Sequence, residues 1–440
     1  MLEQRTKGQA WTLALWLLLA GVVIVTIMGT IGLSISGAVS QQRLSREIAK
    51  VRQRGEPIYF ADIKPTADAD SYARGARLKA ALAQVPGPSD EAMNLLASEQ
   101  LVVGDNAPLA EALELNRTAL EDVAAILAAG PCRFEYDFSH GDPYSLLLEH
   151  VQQLRGVGRL HGMDVIQSLG TNRPRDAAQA VMRALDTTEA LRHDPFLVSQ
   201  LVRRAMGESA IASLERLLGH AAIDEAGLLA IDGRLAEMEA SFRLREGIIL
   251  ERAVMMTYAD RFGSQGSLGG IEINAAQRLW WSSPLYTPSR RDVQALALAQ
   301  YSHIASAIDG VDADSLARFA AAQDRLEQAA GEDRLLALLM VAFDPARNAA
   351  MQYRQQLINA RLALRVDRYY RSEGRLPAAL DEVLDDALTE IGPGYVSRQP
   401  IVYEAYENGF AIYDDAPLGD KDRAAEVRVE YRRSGATSTE

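Results

Sequence analysis

The chain has 440 residues, 48% hydrophobic and 24% charged, the balance of a folded protein of two or three domains, which excludes a disordered or collagen-like chain. Its 59 Asp plus Glu outnumber 46 Lys plus Arg, and the formal charge of -13 opposes the basic surface that nucleic acid requires, so no nucleic-acid partner is expected. A lone cysteine, Cys132, excludes an internal disulfide framework and a zinc site of the repeated Cys-x-x-Cys kind.

After a short tail (1–10), residues 11–35 form an apolar run in a stretch without charge from Lys7 to Arg43. About 25 helical residues span roughly 37 Å, enough for a bilayer core of about 30 Å with some tilt. Trp11 and Trp16 stand where amphipathic rings prefer the interface, and the run is predicted to be a single transmembrane helix, a signal anchor whose partner is membrane lipid. Ala38-Val39-Ser40 offers a cleavage-like pattern, but the apolar stretch is longer than a secretory signal needs. Arg43, Arg46, Lys50, Arg52 and Arg54 follow the span, a bias that by itself keeps the body on the cytoplasmic side.

Residues 36–66 read as a basic helical stalk, solvated or touching anionic headgroups, that stops at Gly55 and Pro57, then as an extended linker from Ile58. Asp68 to Val85 is predicted helical, with Leu78, Leu82 and Val85 on one face. A helical domain over 67–262 follows, an array or bundle of antiparallel amphipathic helices without a strict repeat. Within it Leu147, His150, Leu154, Val157 and His161 share one stripe, and Asp194-Pro195 opens a helix that Gly219 closes. His150 and His161, with Glu149 or Asp164, are metal-ligand types, but three turns separate the histidines, about 16 Å, so one ion cannot bridge them and core packing is preferred.

A linker and second helical segment occupy 263–342. Gly263 to Gly270 is glycine-rich but lacks the Gly-Lys-Ser/Thr ending of a phosphate loop, Trp280-Trp281 suits a helix junction or a binding platform, and Asp309, Asp312 and Asp314 suit caps of the next helix. Ser139 beside His140 is no catalytic pair by adjacency, and the His-Glu-x-x-His, Gly-x-Ser-x-Gly and Walker patterns are absent.

From Asp344-Pro345 a long helix carrying Leu362, Val366 and Tyr369 runs to Gly374, and Pro377 opens a short one. Ile401 and Tyr403 alternate with polar residues, Asn408-Gly409 is predicted as a two-residue hairpin turn, Phe410 and Ile412 return, and Val427, Val429 and Tyr431 offer a third strand. The fold class is therefore mainly α, with an N-terminal transmembrane helix and a small α+β unit over 343–433, a long helix on a three-stranded antiparallel sheet, before a disordered tail at 434–440.

The run Arg368-Tyr369-Tyr370-Arg371-Ser372-Glu373-Gly374-Arg375-Leu376-Pro377-Ala378-Ala379-Leu380-Asp381-Glu382, with Tyr403, Gly409 to Tyr413 and Gly419 to Asp422, resembles the globular end of the major type II secretion pseudopilin. The resemblance covers about one sixth of the chain. Together with the anchor and helical middle, the whole resembles uncharacterised single-pass membrane proteins of planctomycete-type bacteria. It implies a cell-envelope location and a last loop that binds calcium, whose matching positions are Asp414, Asp415, Asp420 and Asp422. Oxygen-only ligands suit that ion. Ala416-Pro417-Leu418 and the further strand depart from the pattern, as does Leu13, which stands where the prepilin glutamate is expected after Lys7-Gly8.

No catalytic residue and no other cofactor follows from these motifs. The sequence reads as a membrane-anchored envelope scaffold or protein-interaction protein of the cytoplasmic (inner) membrane, with an extracytoplasmic body and an envelope protein as partner. The alternative is a membrane-bound hydrolase whose site assembles only in the fold.

Overall fold

A computed structural model of the chain describes residues 34–64, 68–98, 106–138, 148–220, 223–261, 286–310, 312–332, 343–384, 394–414 and 426–431, with a few single positions and two short strands between them. The architecture is mainly helical with a small three-stranded antiparallel sheet. Met28, Gly32 and residues 34–53 (α1) are helical. Among the described residues no helix is long and apolar enough to cross a membrane. Most of the 11–35 run lies outside them.

The predicted stalk does not stand free. Leu44 and Val51 of α1 are buried, Ser40 donates to Asp292 (2.8 Å), and Arg54 donates to Ser302 (2.9 Å). The chain beyond α1 is turned by Glu56, which binds Arg252 at 2.9 Å and Arg245 at 2.6 Å. The extended linker expected from Ile58 contains a 3-10 turn, Phe60–Asp62, because the Asp62 carboxylate gathers the N–H groups of Ile58 and Tyr59.

α2 (Ala69–Leu82) starts where Asp68 accepts Ser71 N–H, as the sequence suggested, and α3 (Asp90–Ala97) starts where Ser89 accepts Ala92 N–H. α4 (Ala107–Ala128), α5 (Glu149–Gly170), α6 (Pro174–Glu189), α7 (Leu197–His220), α8 (Glu225–Ser241) and α9 (Arg245–Arg261) follow. The two-residue strands β1 (Ser267–Leu268) and β2 (Ile271–Glu272) pair antiparallel, α10 (Thr287–Ala307), α11 (Ala313–Glu332) and α12 (Phe343–Glu373) follow, and the short helix expected after Pro377 is a 3-10 turn, Leu380–Val383. Asp312 caps α11 as expected, whereas Asp309 reaches back to accept Leu244 and Arg245 N–H at the start of α9.

α5 packs on α6 and α7, α12 crosses α7 and α8, and α10 lies between α9 and α11. One continuous apolar core runs from Leu44 of α1 to Val429 of the sheet. At the α7–α12 crossing, a Cβ on Gly207 would stand 1.9 Å from the Tyr353 hydroxyl, so the helices meet that closely only because a glycine is there.

The sheet has the order β3 (Val402–Tyr406), β4 (Gly409–Tyr413), β5 (Val427–Glu430) and lies on α7 and α12. The expected hairpin forms one residue out of place: Tyr406 pairs with Gly409, so Glu407-Asn408 make the turn and Gly409 opens β4. Gly409 answers to another demand, because a Cβ there would lie 2.1 Å from the Val429 carbonyl of β5.

Candidate functional site

α6 turns Ala177, Ala180, Val181, Ala184 and Leu185 inward against α5 and α7, and α8 buries Leu228, Ile231, Leu235 and Met238. Each helix is thus fixed by its own inner stripe. Their facing flanks are small, Ala178 on α6 and Gly227, Ala230 and Gly233 on α8, and a groove is left between them. It comprises a mostly apolar cavity of about 450 Å³ and a more polar one of about 700 Å³, which share Met182 and Ala230. Leu229 stands on its edge, 48% exposed.

Four charged groups at the polar end, Asp186, Glu189, Arg234 and Glu237, are held in ion pairs. Arg234 binds Asp186 at 2.5 Å and Glu237 at 2.8 Å. Burial alone drives the Arg234 pKa down, but these carboxylates outweigh it and hold the guanidinium more basic than usual. Glu189 faces the buried Arg203 (2.5 Å), which also donates to Ser241 (2.7 Å). Burial pushes the Cys132 thiol up, away from the reactive thiolate, and pushes His193 down, with Arg133 next in effect. Near neutral pH the groove therefore offers a protonated thiol, a neutral imidazole and paired charges around an apolar floor. A protonated thiol is a weak nucleophile, so these groups do not form an activated thiolate pair.

A second cavity, about 530 Å³, lies among α4, α5 and α6, where Arg117, Arg173 and Arg183 face Glu114, Glu121 and Asp164. Arg183 stands 3.6 Å from Asp164, whose pKa burial raises. The two signs are balanced, so no field selects an ion of either sign.

A third cluster carries the residue types of acid–base chemistry. Tyr136 donates to Asp194, and His150 Nε2 lies 3.0 Å from the same Asp194 oxygen. His150 is 1% exposed, and the Phe134 ring covers it at 4.0 Å. Asp194 also accepts Phe196 N–H at 3.2 Å, so the cluster ties the entry of α7 to α5, with its histidine and carboxylate buried and Tyr136 partly exposed. His161 is equally buried, and burial lowers its pKa to about 3. The histidines that share a stripe in the sequence are core residues.

Of the four aspartates expected to hold calcium, the structure describes Asp414; Asp415, Asp420 and Asp422 lie outside the described residues, as do Ser139-His140, Gly263 to Gly266 and Trp280-Trp281. Asp414 is buried, and its carboxylate accepts Val396 N–H (2.9 Å) and Ser397 N–H (3.1 Å). Those donors make it the closure of the 394–397 turn against the sheet. Among the described residues no group of three or more His, Cys, Asp or Glu side chains could hold a metal. No protein-family model matches the chain, and neither a characterised protein nor a solved structure matches it.

Sequence motifs did not point to the groove. Asp186, Glu189, Arg234 and Glu237 belong to no motif in the sequence, and only their pairing across α6, α7 and α8 gives them a role. The small residues facing the groove were the available signal.

Proposed function

We propose that the chain is a membrane-anchored scaffold of the cell envelope that holds an amphipathic helix of a partner protein in the α6–α8 groove. The observation that carries the reading is the groove itself: an apolar floor between two parallel walls of helix, bordered by charges already satisfied within the fold. Helix-in-groove recognition uses that combination, an apolar stripe to fill the floor and a polar rim to fix register. The apolar run at 11–35 supplies the anchor to the cytoplasmic membrane, and the tail's resemblance to pseudopilins favours a body on the outer side.

The groove is tested in cells by placing a photo-crosslinking residue at Leu229, on its exposed edge. The reading expects a discrete adduct with a second protein that disappears when Gly233→Trp fills the groove, at a position where an added Cβ meets nothing within 4 Å. An adduct unchanged by that substitution refutes the groove as the site. Topology is tested separately with Cys132→Ala and Ser438→Cys: labelling by an impermeant maleimide in intact cells is expected, and labelling only after permeabilisation places the body in the cytoplasm.

A further inference from the structure

The way α1 meets the body fixes which face looks at the membrane. The helical residues Met28, Gly32 and 34–53 enter the fold with no linker: Arg291 of α10 donates to the Gly37 carbonyl at 3.4 Å, and Ser40 and Arg43 reach Asp292 at 2.8 and 3.4 Å. Docking thus begins two residues after the apolar run ends at Ile35. From there α1 and α10 travel in the same direction, since Arg54 meets Ser302. α9 runs the other way: its start is held by Asp309 beyond the far end of α10, while Thr257 near its close receives Phe60 N–H. The N-terminal end of α10 and the C-terminal end of α9 therefore lie at the level where the anchor leaves the body, and Ser289 and Arg290 stand within about one helical turn, roughly 5 Å, of Arg291.

Two features suit this end to a lipid surface. Ile35 and Val39 are 61% and 42% exposed on α1, continuing the apolar run. Arg43 and Arg46 on α1 and Arg290 and Arg291 on α10 bring four cations to this end, against Asp292, which pairs with Arg43, Glu47, which pairs with Lys50, and Asp260 near the close of α9. Clustered arginines within reach of a headgroup layer attract anionic lipid, at about 1 kcal/mol each.

We infer that this end of the body is a lipid-contact face, seated by the docked α1 helix on the anionic headgroups of the membrane that 11–35 enters, so that the body is held in one orientation instead of swinging on a tether. The inference rests on the reading of 11–35 as a bilayer span. It also places the α6–α8 groove at a fixed attitude to the membrane.

The test uses the full chain with Cys132→Ala in vesicles of phosphatidylethanolamine and phosphatidylglycerol. A fluorophore is attached at Ser289→Cys or, as a control about 25 Å further along the same helix, at Ser306→Cys. A quencher is carried on lipid headgroups. Several-fold stronger quenching at 289 than at 306 is expected, falling by about twofold or more when phosphatidylcholine replaces phosphatidylglycerol. A chain that washes off the vesicles in carbonate overturns the span and this inference together. A chain that stays but is quenched equally at both positions overturns the lipid-contact face and leaves the span standing. Quenching at 289 that ignores lipid charge overturns the anionic-headgroup assignment.

Discussion

Replacing Glu215 tests how the C-terminal sheet is fastened to the helical body. Its carboxyl, on α7, accepts the backbone N–H of Arg428 in β5, and burial pushes its pKa up to about 8, with Glu426 adding to the rise and Arg216 opposing it. The ordinary value is 4.5, so between about pH 4.5 and 8 the folded chain keeps a proton that the unfolded chain has lost. The contribution of this protonated carboxyl is complete below the lower value and is lost as pH rises through the upper one, a change on the order of 4 kcal/mol. Glu215→Gln keeps an oxygen for Arg428 N–H and cannot ionise. Urea unfolding of the full chain in detergent, compared at about pH 5 and about pH 8.5, should show the variant gaining on the wild type as pH rises. Glu251, raised to about 7 by burial alone, tilts both proteins in the same direction, so the difference between them is the quantity that decides. Parallel pH dependences for wild type and variant would refute a protonated Glu215 at the α7–β5 junction.

Three further outcomes follow from named contacts. Asp232 on α8 binds Arg361 at 2.9 Å and Arg365 at 2.8 Å on α12, so Asp232→Ala should cost about 3–5 kcal/mol in the same unfolding assay, with part regained when both arginines become Met. Gly207→Ala should cost upwards of about 2 kcal/mol by forcing the α7–α12 crossing apart, whereas Tyr353→Phe, which deletes a buried hydroxyl that has no hydrogen-bond partner among the described residues, should be neutral or stabilise by up to about 1 kcal/mol. Asp414→Asn should lower stability by about 1–3 kcal/mol equally in EDTA and in calcium, because the side chain closes a turn; a loss seen only with calcium would instead assign it to an ion.

Where one residue and its neighbours in the chain decide a feature, the sequence was readable. Asp68 starting α2, Asp312 starting α11, the long helix ending before Gly374 and three alternating strands all rest on caps, turns and short periods. Features decided by distant chain were not. Gly409 looks like a turn residue because the glycine after asparagine usually is one, yet here a carbonyl from β5 claims it and the turn moves back by one residue. Asp309 looks like a cap for the next helix, but it caps α9, 65 residues earlier in the chain. The basic stalk read as solvated or touching anionic headgroups because of its run of charges, while Leu44 and Val51, two turns apart, are what seat it on the body.

The groove was hidden for a related reason, and the buried arginines show it most clearly. Arg203 and Arg252 are among the largest fully buried side chains of the described residues, and in a sequence each marks its helix face as solvent-exposed. Their burial is tolerable only because Glu189 and Glu56 arrive from other elements to pair them, at 2.5 and 2.9 Å. A helix such as α7 therefore has no clean apolar stripe to read, although most of it is core. The same pairing decides the groove: once Arg203 holds Glu189, and Arg234 holds Asp186 and Glu237, the α6–α8 rim keeps its charges without closing. Ion pairs across helices thus help set the spacing of the walls, and on the proposed reading a groove already shaped in this way would lower the ordering cost of binding a helix.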